Sequence, residues 1–447
     1  MLHTPQYRPE MHFTPRDTWM NDPNGLIRHK GVHHLFFQNN PTGRTWGNIG
    51  WGHAVSTDLL EWEELPVAIA ATDEELVFSG SAVWDRHNTS GLGVDGAGPL
   101  VAIYTSAYTE KHPTRPGHQA QSLAFSNDDG RTWTRFEENP VLERNSTQFR
   151  DPKVSWHAAS GRWVMAVVEA VDRQVLLYSS VNLRDWEHES SFGPIGEEGV
   201  LWECPDLIEV PVEGTDESRW VLVLSTNPGG FSGGSGMRYF VGDFDGATFT
   251  PDEFGPRWLD HGTDFYAAVT FQGTSEPTVI GWMSNWAYAE DAPTFPWQSA
   301  MSLARTLSLV ATPDGALLRH TPVLPESLPD GTNIVEFEFS GAGEMVFEVG
   351  ERDDLSRFVL RRLTGGSLVA DRSGADPHGV HLEFPATPPI PLPEGPVTGM
   401  LIEDHGLIEV LLVDGTVSIS MQTFPHEGDF RVRATGGARI RSVDETR

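Results

Sequence analysis

Three carboxylates stand at the same phase of a repeated pattern. Asp22 lies in WMNDPNG (19–25), Asp151 in FRDPK (149–153) and Glu203 in WECPDL (202–207). Each leads into an apolar strand, and a proline follows each acid within two residues: Pro23, Pro152 and Pro205. Proline pushes the preceding residue toward extended backbone, so the pattern predicts acids held at strand starts in extended geometry. Carboxylates that converge on one pocket suit glycoside hydrolysis, in which one acts as nucleophile or base and another as acid. Sharing a site also drives their pKa values apart, so one stays protonated near neutral pH. Taken singly, DPNG reads as a surface turn, Arg150–Asp151 as a structural ion pair and Glu203 as a solvated strand-end acid. Those readings leave the common phase of the three acids unexplained.

Convergence of residues so distant in sequence needs a scaffold, and the chain repeats itself. NDPNGLIRHKGVHHLFFQ, SGSAVWDR…GPLVAIYTS, RDPKVSWHAASGRWVMAVVE, CPDLIEVPVEGTDESRWVLVLST and DFYAAVTFQGTSEPTVIGWMSN share one plan. A polar or acidic start leads into a strand, a polar turn and a strongly apolar strand. Downstream come AVSTDLLEWEEL, AFSNDDGRTWTRF, YSSVNLRDWEHE and YFVGDFDGATFTP, each a strand, an Asp-bearing turn and an aromatic: Trp62, Trp133, Trp186 and Phe249. Five such four-stranded units predict an all-β fold, a five-bladed β-propeller over residues 1–311. Its inner strands start at one end of a central channel, which brings the three acids to one mouth. Trp19 and Met20 are expected to anchor the turn that carries Asp22. The SxDxGxxW pattern of Ser126, Asp128, Gly130 and Trp133 matches the Asp-box of sialidase propellers, a structural turn that carries no chemistry.

Beyond Leu309, residues 312–332 are rich in proline and polar residues and read as a linker. Alternating strands then predict a C-terminal β-sandwich over 333–447, with a hairpin turn at Val413–Gly415. The sandwich shows no grouping of His, Cys or paired carboxylates that suggests chemistry.

Composition narrows the partners. The 447 residues carry a formal charge of −32, which repels nucleic acid and anionic membrane surfaces and suits a neutral substrate such as a sugar. No apolar run approaches the roughly 20 residues of a membrane span. Cys204 is the only cysteine, so no internal disulfide forms; it reads as a small packed residue. The N-terminus lacks a basic region followed by an apolar one, which gives a cytoplasmic expectation, or secretion if a leader has been removed. No HExxH, GxGxxG or P-loop pattern occurs. Trp46, Trp51, Phe78, Trp202, Trp282 and Trp286 are expected around the strand starts as faces for the apolar side of a sugar.

WMNDPNG, FSGS (78–81), FRDP and WECPD, in this order, closely resemble the signature blocks of glycoside hydrolase family 32, the β-fructosidases. The likeness extends through FFQNNPTGRTWGNIGWGHAVSTDLLEW, DFYAAV and GWMSNWAYAEDAPTFPW, over about residues 7–310, and is closest to the exo-inulinase and levanase branch. The resemblance implies the propeller-plus-sandwich fold and a retaining exo-β-fructosidase that needs no metal or cofactor. It implies Asp22 as nucleophile on C2 of a terminal fructofuranosyl unit, and Glu203 as general acid and then base. Asp151 would hold the 3- and 4-hydroxyls and stabilise the oxocarbenium-like transition state. Asn21, Gln38, Trp46, Ser79, Arg150 and Trp286 would line the fructose pocket, beside Phe78. Retention would set nucleophile and acid about 5–5.5 Å apart. Substrates would be levan or inulin-type fructans, fructo-oligosaccharides and sucrose. A fructosyltransferase, an endo-fructanase or a non-catalytic sugar-binding propeller are the alternatives, and linkage preference and oligomeric state stay open.

Overall fold

The structure, a computed structural model, describes residues 7–445 except 256, 314, 352 and 353. The first six residues of the N-terminus read above, and the last two of the sandwich, lie outside the described residues. Among the described residues the only helical elements are two 3-10 turns, Ala289–Asp291 and Val413–Gly415.

Five antiparallel sheets form the blades of a propeller, each led by an innermost strand: Thr18–His29, Glu75–Trp84, Phe149–His157, Leu201–Pro211 and Tyr266–Thr270. The second strands, such as Leu100–Tyr108 and Arg162–Glu169, read as almost continuous apolar runs because both of their faces are covered by neighbouring blades. Apolar clusters fill the gaps between blades. Phe36, Trp51 and Tyr104 pack between blades 1 and 2, and Phe192, Trp202 and Phe240 between blades 3 and 4. Trp19, Trp282 and Met301 pack between blades 5 and 1. The ring closes where Thr18–Trp19 pairs in parallel with Trp297–Gln298.

WMNDPNG is therefore not a turn. It lies inside the innermost strand, where Pro23 is tolerated because that side of the sheet edge faces the channel. Gly25 is required there: its φ is 53°, and a Cβ would come within 2.7 Å of Phe36 and 2.8 Å of Trp51.

The tail is a β-sandwich built on two long strands, Thr332–Glu351 and Asp429–Glu445, which pair with each other along most of their length. The hairpin turn at Val413–Gly415 joins Leu407–Leu412 to Val417–Gln422 as expected. The stretch expected as a linker differs. Gly315–Pro322 is the outermost strand of blade 5, paired residue for residue with Arg305–Thr312. Its proline and glycine lie at the strand ends, and ALLRH between them alternates well enough to finish a blade.

Candidate active site

All five inner strands carry the same irregularity. Pairing with the second strand slips between Met20 and Pro23, Phe78 and Gly80, Arg150 and Lys153, Glu203 and Asp206, and Tyr266 and Val269. Each slip is a β-bulge, which re-aims side chains at the rim of a sheet. The residues at these bulges form the site: Asn21 and Asp22, Phe78 and Ser79, Arg150 and Asp151, Glu203 and Cys204, Tyr266. The extended geometry expected before proline fails at Asp151, whose φ is 65°, and Cys204 before Pro205 has φ 45°. The bulge, rather than proline, sets the local backbone. The left-handed turn at Asp151 is held by its N–H, which donates to Thr105 Oγ1 at 2.9 Å.

The acids meet across blades. Asp22 Oδ2 accepts from Ser79 Oγ of blade 2 at 2.6 Å, and Oδ1 accepts from the Asn21 amide at 2.9 Å. Asn21 is itself fixed by the indole N–H of Trp19 at 2.8 Å. The buried Asp151 Oδ2 accepts from the Cys204 N–H of blade 4 at 3.0 Å. The Cys204 thiol lies 3.5 Å from Asp22 Oδ2 and 3.7 Å from Asp151 Oδ2, between the two carboxylates. Glu203 Oε1 accepts from Arg150 Nε at 3.1 Å and Nη2 at 3.0 Å, and Oε2 accepts from the Tyr266 hydroxyl at 2.5 Å. Arg150 is thus partnered with Glu203, not confined to a local pair with its neighbour Asp151.

Crowding of like charges in a buried place has the expected electrostatic result. Burial pushes Asp151 up to about 7; Arg150 opposes this, and the charges of Glu203 and Asp22 add to it. Burial also raises Asp22, against the hydrogen bond from Ser79 and with the charge of Glu203. The Cys204 thiol is raised by burial and then by Asp151 and Asp22, so it stays protonated. Burial and then Glu203 raise Tyr266, keeping its hydroxyl a donor.

The expected pocket residues divide by direction. Gln38 is buried, its amide donating to the Val77 carbonyl at 3.0 Å. Trp46 is 43 % exposed and meets Phe78 edge-on, with ring centroids 6.0 Å apart. Trp286 packs on Trp19 and Trp282 with part of its surface open. Trp51, Trp202 and Trp282 do not face a sugar; all three are buried between blades. Sequence reasoning missed Tyr266 as a site residue, and gave Cys204 no place beside the acids. The signal for Tyr266 was available, since DFYAAV occupies in blade 5 the phase that WECPD occupies in blade 4.

The model of the glycosyl hydrolases family 32 N-terminal domain matches residues 12–322. The chain is 50% identical over 327 residues to a levanase of Bacillus subtilis, covering 71% of this chain and 47% of that protein. It is 46% identical over 346 residues to an extracellular exo-inulinase of Aspergillus awamori, covering 71% of this chain and 64% of that protein. The chain thus spans about half to two-thirds of the length of these relatives. The crystal structure of exo-inulinase from Aspergillus awamori superposes with a TM-score of 0.91 at 35% identity, over 99% of this chain and 98% of that one. Signature blocks, the family model, matched relatives and the superposed structure agree: the chain belongs to the glycosyl hydrolases of family 32.

Proposed function

We propose that the protein is a retaining exo-β-fructosidase acting on levan or inulin-type fructans, fructo-oligosaccharides and sucrose. The observation that carries the reading is the linkage of Asp22, Asp151 and Glu203 across three blades through Cys204 and Arg150. An Asp22 oxygen attacks C2 of the terminal fructosyl unit while Glu203 gives a proton to the departing glycosidic oxygen. That breaks the C2–O bond and leaves a fructosyl ester on Asp22. Glu203 then takes a proton from water as its oxygen attacks C2, releasing fructose and the Asp22 carboxylate. Asp151 steadies positive charge on the ring and holds hydroxyls. Asn21, Gln38, Ser79, Arg150, Trp46, Phe78 and Trp286 shape the pocket around one terminal unit, which favours action from chain ends.

Separate incubation with sucrose, inulin and levan, with Asp22→Asn as control, tests this. Free fructose as first product, lost in the variant, is expected. Larger first products would point to endo-cleavage or transfer, and binding without turnover to a sugar-binding propeller. Relatives named extracellular stand against the cytoplasmic expectation, which fractionation of the source cells decides.

A further inference from the structure

We infer that the sandwich is a working part of the active site and acts through Arg372; this rests on the functional reading above. Arg372 lies on the sandwich strand Leu368–Gly374 and is fully buried. Its guanidinium donates to the Phe384 and Gln422 carbonyls of the sandwich, at 3.1 and 3.0 Å, and from there bridges two propeller segments. Nη1 donates to Asp264 Oδ2 at 2.7 Å, and Nη2 to the Tyr288 hydroxyl at 2.9 Å. Tyr288 in turn donates to Asp264 Oδ1 at 2.7 Å, closing a triangle with no exposed member. A second sandwich residue, Gln422, donates from its N–H to Asp264 Oδ2 at 2.9 Å and from its amide to the Met283 carbonyl at 2.6 Å.

Both segments carry site residues two positions away. Asp264 precedes Tyr266, whose hydroxyl holds Glu203. Tyr288 follows Trp286, a wall of the pocket. Between them Asn285 ties the segments together, donating to the Thr263 carbonyl at 2.7 Å. The innermost strand of blade 5 has only five residues, so its start gains little from its own sheet. The sandwich supplies the missing support. Arginine is the side chain for this task, because a planar fork reaches a carboxylate and a hydroxyl at once; a lysine makes a point contact only. Arg372 is a positioning residue: it touches neither substrate nor Glu203, and works through Tyr266 and Trp286.

The test compares Arg372→Met, Arg372→Lys and Tyr288→Phe in the full chain, by steady-state kinetics on sucrose and by amide hydrogen exchange. Losing the fork is expected to lower kcat/KM at least about tenfold in both Arg372 variants, with kcat falling and KM rising together. Tyr288→Phe, which removes one hydroxyl and leaves the ion pair, is expected to move both parameters in the same directions by a smaller factor. Amides of 265–268 and 284–288 should exchange faster while blades 2 and 3 keep wild-type protection. Wild-type kcat and KM in a folded Arg372 variant would overturn the proposal, as would faster exchange spread evenly over the chain. If the Arg372 variants do not fold, unchanged kinetics in Tyr288→Phe overturn it. An inactive wild type sinks the fructosidase reading instead, and the exchange arm then decides alone whether the sandwich steadies these two segments.

Discussion

Arg150 of blade 3 and Glu203 of blade 4 occupy the same place in their blades, the last paired residue before the bulge, and they grip each other. Two guanidinium nitrogens reach Glu203 Oε1 at 3.0 and 3.1 Å, and the other oxygen is left to Tyr266. Tyr266 is again the last paired residue before its bulge. One repeat position in three successive blades thus supplies the Glu203 carboxyl and both groups that hold it.

Tyr266→Phe should therefore slow turnover without unfolding the protein. Removing one partner of a hydrogen bond so that the other is left unsatisfied costs about 1–3 kcal/mol, so kcat is expected to fall roughly 5- to 100-fold. The loss should shrink on fructosides with good leaving groups, which need less help from the acid. An equal loss on all substrates would contradict the role given to Tyr266.

Asp151 is held at a cost to stability. Its pKa in the fold, about 7, lies above the ordinary value of 3.8, so the native state binds the extra proton. Stability from this group is present below about pH 4 and is lost as pH rises through about 7. Asp151→Asn should melt higher than wild type at pH 8, lose that advantage at pH 4, and be inactive at both. Melting curves of the two proteins across that range check this.

At the contact between propeller and sandwich another raised pKa gives a pH dependence of the same sign, but here the charged form is the stabilised one. His12 is fully buried, 2.7 Å from Asp404 Oδ2 and 3.2 Å from Glu409 Oε1. Burial lowers its pKa, but the two carboxylates outweigh this and lift it to about 9. The stabilisation is complete below the ordinary value of 6.5 and disappears as pH rises through about 9, a change on the order of 3 kcal/mol. His12→Gln should melt below wild type at pH 6, and the gap should narrow by pH 10.

Cys204 should be inert. It is 4% exposed, and its thiol is kept protonated by burial and by flanking carboxylates. An aromatic disulfide reagent is expected to titrate no thiol in the folded protein and one after denaturation. Rapid reaction in the folded state would mean that the gap between Asp22 and Asp151 opens readily.

The repeat made the fold readable, because five apolar second strands and five polar starts recur at a similar spacing. The same phase singled out Asp22, Asp151 and Glu203. The bulges were not readable, since they are slips between two strands and leave no mark in either one alone. They also decide which way neighbouring side chains point. That is why Trp51 and Trp202 could not be told from Trp46 and Trp286 by sequence. The Gly315–Pro322 strand was hidden by proline and glycine at its ends. In the sandwich, Asp404 and Glu409 find their partners His12 and Arg305 across the contact with the propeller, a pairing that no local pattern in the sequence marks.

The proposed reaction passes through a covalent fructosyl-enzyme on Asp22. The most direct measurement is mass spectrometry of Glu203→Gln after incubation with a fructoside bearing a good leaving group. Such a substrate needs no acid to load the enzyme, while release of the ester needs the missing base. The intact protein is expected to gain the mass of one fructosyl unit, and peptide mapping to place it on Asp22. An unmodified protein that still turns the substrate over, or a label on any other residue, would contradict it.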